Sequence, residues 1–313
     1  MNQMETTSAL AFDLLPNERR GTLERLDGVI SYAVSESRCA AAAGTVVLLH
    51  GVGSNASRWE EFTEMTALGE NWRILRMDLR GHGASESDCP ATLEVHGDDV
   101  AAVLEKEKIG SAVVLGHSLG AQIAMQLALR HPQRISGLIL MDPLVTEALM
   151  PAAKKQAKRV PFAKLLETLA RLGNKLGVRR TLPHYSLRAH DQKARAMLAK
   201  GGQALEDFIR EYSSPWKDLG HIHVAAYLRD LIEVGRPTPD LTSLTVPVLV
   251  IGSSAGTFTD PVRMAAWTRG LLDGEIVVVQ CTHWPLTECP EEVSRVIEDW
   301  IQSRFGSIAE KRA

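Results

Sequence analysis

The chain has 313 residues, 45% of them apolar, and a formal net charge of −3. That length accommodates one large α/β domain with an insertion, and the near-balanced charge argues against a nucleic-acid binder or a disordered chain. The four cysteines (Cys39, Cys89, Cys281 and Cys289) form no C-x-x-C pair, so neither a metal site nor a disulfide framework is expected, and a reducing, cytoplasmic compartment is the simplest assignment.

Residues 1–20 lack a basic start followed by an apolar run, so no signal peptide is expected. No stretch is long enough for a membrane span. Residues 22–35 alternate like an antiparallel hairpin, and Val46–Leu49 reads as a buried strand. That strand enters the glycine-rich loop His50-Gly51-Val52-Gly53-Ser54-Asn55, which leads to a helix through Trp59 and Phe62. Trp72–Met77 is the next strand, ending in Asp78-Leu79-Arg80-Gly81-His82-Gly83; residues 92–107 form an amphipathic helix. Ala112–Leu115 is a strand, residues 121–128 a helix, and Ile135–Met141 a strand ending in Asp142-Pro143.

Strand signals stop from 144 to 236, where helical composition is broken by Pro151, Pro161, Gly173, Pro183 and Pro215. They resume with the strand Val246–Ile251, a helix from Asp260-Pro261 to Leu272, the strand Glu275–Gln280, a loop through His283, and a closing helix over Pro290–Ser303. Alternating strands and helices predict a mostly parallel sheet with helices on both faces. The expected division is a core of residues 1–143 and 237–313, with a helical lid over 144–236. Ligands bind such sheets beyond the carboxyl ends of the strands, where the lid interrupts the rim.

Chemistry concentrates at that rim. Gly116-His117-Ser118-Leu119-Gly120, between strand and helix, has the form of a nucleophile elbow, which strains Ser118 and holds its hydroxyl out above the sheet. A serine hydroxyl needs a base within hydrogen-bond reach. His283 follows the last strand and completes the chain order Ser…Asp…His. His50 is read as shaping its loop, His117 as facing away from the nucleophile, and His221 and His223 as ordinary lid residues. The oxyanion needs two backbone N–H donors; Leu119 supplies one and Val52 the other.

These pieces, with Asp78–Ser85 and His283-Trp284-Pro285, resemble the α/β-hydrolase superfamily over residues 25–303. The His50–Asn55 loop and the elbow are similar to those of small-ester esterases. The resemblance implies an α/β-hydrolase fold, a covalent acyl-enzyme, and no cofactor or metal. The substrate expected is a small carboxylic ester or lactone. Alternatives on the same frame are a C–C bond hydrolase, a cofactor-free dioxygenase or a non-catalytic receptor.

One position departs from the pattern. The superfamily usually carries its triad acid three residues past Gly252, where this chain has Ala255. A minority of relatives carry it one strand earlier, at the place of Asp142. Asp142 is therefore expected to be the acid and Asp260 the N-cap of a helix. Residues 151–200 hold 13 Lys or Arg (Lys154, Lys155, Lys158, Arg159, Lys164, Arg171, Lys175, Arg179, Arg180, Arg188, Lys193, Arg195 and Lys200) against Glu167 and Asp191. That excess either steers an anionic substrate or balances an acidic core.

Overall fold

The computed structural model describes residues 12–306 apart from 88, 90, 158, 159, 179–181, 184 and 202. Lys158, Arg159, Arg179 and Arg180 of the basic stretch lie outside the described residues, as does the side chain of Lys155. The elements in order are β1 (Glu18–Arg25), β2 (Gly28–Ser35), β3 (Gly44–Leu49), α1 (Glu60–Met65), β4 (Trp72–Met77), α2 (Leu93–Lys106), β5 (Ala112–His117), α3 (Leu119–Arg130) and β6 (Ile135–Met141). Among the described residues there follow α4 (Pro151–Ala157), α5 (Val160–Lys175), α6 (Leu187–Leu198), α7 (Ala204–Tyr212), α8 (Pro215–Asp218) and α9 (Val224–Val234). The chain then returns as β7 (Val248–Ser253), α10 (Pro261–Thr268), β8 (Gly274–Val279), α11 (Pro285–Glu288) and α12 (Pro290–Phe305).

The eight strands form one sheet in the order β1-β2-β4-β3-β5-β6-β7-β8. The β1–β2 hairpin joins antiparallel to β4, and every pairing from β4 to β8 is parallel. Strand side chains alternate between two apolar layers. Val47, Leu49, Val114 and Leu140 pack on one face with Ile123 and Leu127 of α3. Val46, Leu48, Val113 and Leu115 pack on the other with Trp59, Phe62 and, from α12, Ile297.

The element boundaries depart from the expected ones for local reasons. β7 begins two residues late, after Pro247, which has no N–H to give a ladder. The hairpin begins earlier, because Glu18 already pairs with Ser35. α12 runs on to Phe305 and stops at Gly306, whose φ of 59° only glycine adopts readily.

The elbow forces close backbone approaches. A Cβ on Gly116 would lie 2.2 Å from the Gly120 carbonyl oxygen, and one on Gly120 would lie 2.3 Å from the Leu49 carbonyl oxygen. Helix α3 thus crosses the end of β3 at a distance only glycine permits. Gly120→Ala is expected to lower stability by roughly 3 kcal/mol through this overpacking. Gly69→Ala, with nothing within 4 Å of its added Cβ, should change it by less than about 0.5 kcal/mol. Chemical denaturation of the two variants checks the contrast.

Candidate active site

Ser118 stands between β5 and α3 with φ 53° and ψ −112°. Among the described residues only Lys108, Ser118 and Asp142 are non-glycines at positive φ. Such conformations are costly and persist where surrounding structure imposes them. Here the sheet imposes two of them. The Ser118 N–H donates to the Met141 carbonyl at 3.0 Å, and the Asp142 N–H to the Ile251 carbonyl at 2.7 Å. Each residue is thereby fixed to the end of the neighbouring strand just as its own strand ends.

Those turns bring three side chains into line. His283 Nε2 lies 3.1 Å from Ser118 Oγ. His283 Nδ1 lies 2.5 Å from Asp142 Oδ2. All three residues are buried. The Nδ1–H donates to the carboxylate, which leaves Nε2 free to accept the serine proton. The other oxygen, Asp142 Oδ1, accepts from Ser253 Oγ at 3.1 Å and Thr259 Oγ1 at 3.2 Å. Burial by itself pushes the Asp142 carboxyl up, but the charge and hydrogen bond of His283, with His117 and Ser253, outweigh it and hold Asp142 below the usual range.

The His50–Asn55 loop lies against the serine: a Cβ on Gly51 would be 3.2 Å from the Ser118 Cβ. His50 shapes that loop. Its Nδ1–H donates to the Gly51 carbonyl at 2.9 Å, and its Nε2 accepts from the Leu79 N–H at 3.0 Å. Burial, then repulsion from His82, drives the His50 pKa well down, so the ring is neutral. Val52, next in the loop, is half-buried. Leu119 opens α3, where a backbone N–H has no partner within the helix.

His117 turns toward the His283 loop. Its Nε2–H donates to the His283 carbonyl at 2.8 Å, and the two rings lie 5.0 Å apart. His117 shares the sheet face of Val113 and Leu115, and the His283 loop crosses that same face. Burial and the nearby His283 lower its pKa to about 3. Asp260 caps α10 by accepting the Arg263 N–H at 2.9 Å. Ala255 lends its backbone N–H to the Cys281 carbonyl at 3.1 Å. In the helical segment, His221 Nε2 meets the Gly53 carbonyl at 3.2 Å, and its ring stacks on Tyr185 at 4.2 Å.

Rings close around His283, and apart from its neighbour Trp284 the sequence had marked none of them. Phe258 and Trp284 meet it edge-on, with centroids at 4.6 and 5.5 Å. Tyr212 and Phe208 of α7 pack in turn on Trp284. A buried ion pair fastens this wall. Arg58, after the glycine-rich loop, pairs with Asp191 of α6, whose Oδ1 also accepts from Tyr212 Oη at 2.8 Å and Thr287 Oγ1 at 3.0 Å. Arg195 and Arg188 pair with Glu61 and Glu64 of α1 at 2.6 and 2.5 Å. Part of the basic excess is thus neutralised by core acids.

A family model described as the alpha/beta hydrolase family matches residues 46–296. The chain belongs to the α/β hydrolase family. Its sequence is similar to ethanol acetyltransferase 1 of Kluyveromyces marxianus, 24% identical over 296 residues, covering 85% of this chain and 76% of that one. It is 41% identical over 101 residues to the pimeloyl-[acyl-carrier protein] methyl ester esterase of Edwardsiella ictaluri, a match spanning 32% of this chain and 37% of that one. In fold this family member is similar to a thermophilic esterase from Thermogutta terrifontis, with a TM-score of 0.65 and 23% identity over 92% of this chain and 99% of that one. Among the described residues, no group of three or more His, Cys, Asp or Glu is placed to hold a metal ion. None of their helices is long and apolar enough to cross a membrane.

The buried pair gives a test of how α6 and α7 are fastened. Arg58→Met leaves the Asp191 carboxylate buried without its counter-charge and is expected to lower stability by about 3–5 kcal/mol. Adding Asp191→Leu removes the stranded charge and should recover part of that loss. Denaturant titration of the single and double variants checks both expectations.

Proposed function

We propose that the chain is a serine hydrolase that cleaves a carboxylic ester or lactone through an acyl-enzyme. The observation carrying this reading is the line from Ser118 Oγ through His283 to Asp142, at 3.1 and 2.5 Å. Ser118 attacks the carbonyl carbon while His283 Nε2 takes its proton. Asp142 holds the Nδ1–H tautomer and stabilises the imidazolium that forms. The backbone N–H groups of Val52 and Leu119 receive the oxyanion. His283 then protonates the departing alkoxide, and a water activated by the same nitrogen releases the acid. No step in this scheme requires a cofactor.

The receptor alternative draws on the missing carboxylate at Ala255, and Asp142 as the acid is what supports catalysis over it. We take the helices between β6 and β7 as a lid on the core, since Tyr212 and Phe208 pack on the tryptophan beside the base. The ring-lined surroundings of His283 favour an apolar substrate portion next to the ester. The steering role of the basic residues loses support, because Arg188 and Arg195 are matched by Glu64 and Glu61. Four free thiols fit a cytoplasmic setting.

A fluorophosphonate is expected to label Ser118, and p-nitrophenyl esters and lactones to be turned over. Failure to label, or turnover of ring-cleavage products or quinolones alone, refutes the reading. Ser118→Ala should lower kcat on the order of 10⁴–10⁶-fold without unfolding the chain. Steady-state kinetics should also show Asp142→Asn reducing kcat by roughly 10²–10⁴-fold, because asparagine stabilises the wrong imidazole tautomer. Asp260→Asn should leave kcat close to wild type, since asparagine caps a helix about as well as aspartate. The opposite ranking would move the acid to Asp260.

A further inference from the structure

Helix α5 turns its apolar side outward. Its packed side is narrow: Glu167 is 3% exposed and accepts from Arg229 Nη2 of α9 at 3.1 Å, and Val160, Ala163 and Ala170 are half-buried. Phe162, Leu165, Leu169, Leu172 and Leu176, on α5 and the residue just past its end, are between 55% and 74% exposed. Their spacing of three and four residues puts them in one row along a helix about 24 Å long. A contiguous apolar row of this kind on a water-facing surface marks an interaction site. The basic residues of the helix, Lys164, Arg171 and Lys175, recur at spacings of seven and four and form a second row beside the first. The acid of α5, Glu167, is buried and pairs with Arg171 at 3.7 Å, so the exposed Lys164 and Lys175 carry the charge of this row.

We propose that this face of α5 docks onto an anionic lipid surface, with the leucine row entering the headgroup boundary and the basic row meeting the negative headgroups. Charge decides between lipid and a second copy of the chain. Two antiparallel copies of the face would bring the basic rows toward each other, and for a parallel pair the row is shorter than the three or four heptads that sustain a coiled coil. An anionic interface satisfies both rows at once. The attraction is local to α5, because the whole chain carries −3. This docking does not depend on the ester-cleaving reading, since it is measured as binding.

The test is co-sedimentation of the full chain with vesicles of phosphatidylcholine alone or mixed with phosphatidylglycerol, at low and high salt. Binding is expected to the mixed vesicles, to weaken as salt rises, and to be weak on phosphatidylcholine alone. Leu165→Gln/Leu169→Gln should abolish it. Lys164→Gln/Lys175→Gln should weaken it roughly 30-fold, from about 1 kcal/mol per basic residue near such a surface. All four positions are exposed, so both variants should keep the wild-type melting temperature and turnover of a water-soluble ester. The proposal is overturned if neither vesicle binds, if both bind equally, or if the leucine variant binds like wild type. Light scattering that shows a dimer split by the leucine substitutions, without vesicle binding, assigns the face to a second copy and equally overturns it.

Discussion

The hydrogen bond between Asp142 and His283 joins residues 141 positions apart, and the geometry of the candidate site depends on it. It forms because β6 and β8 both end at one rim of the sheet, with β7 between them. Asp142 reaches across β7 from a turn at φ 41°, held by its N–H to the Ile251 carbonyl. Ser253, at the end of β7, occupies one oxygen of the carboxylate and leaves the other for the imidazole. The strain at Ser118 and Asp142 is maintained by the ladder that ends beside them. A rigid parallel sheet can hold two unfavourable turns because the sheet is stabilised elsewhere, in two apolar layers.

The helices between β6 and β7 are held to the core by polar contacts as much as by apolar ones. The Arg58–Asp191 pair is buried and carries further bonds from Tyr212 and Thr287. Such a pair contributes little net stability against an apolar replacement but strongly disfavours arrangements that separate its partners. It therefore specifies where α6 and α7 sit, and with them the ring wall beside His283. Helix α5 is fastened differently, through Glu167 and Arg229 to α9, which leaves its leucines to solvent. One segment thus presents an ordered wall to the site and an apolar row to the outside.

The sequence by itself determined the frame. The short, largely apolar runs placed β3 to β6, and Trp72–Met77 and Ile135–Met141 match their strands end to end, because a strand covered on both faces reads as a near-continuous apolar run; the buried Arg76 of β4 is paired with Glu18 and Glu60. The glycines at 116 and 120 marked the elbow, since no other residue admits the helix so close to β3. The N-cap at Asp260 was legible because aspartate before proline states its own local role. Tertiary structure decided what local pattern cannot encode. The contact of the Asp142 carboxylate with His283, the ring of Phe258 on His283, the rings of Phe208 and Tyr212 on Trp284, the turn of His117 toward the His283 loop, and the pairing of Arg195 and Arg188 with Glu61 and Glu64 all join residues well separated in the chain. Composition counts charges and periodicity assigns faces. Which face meets which partner is fixed only when the sheet order brings the strand ends together.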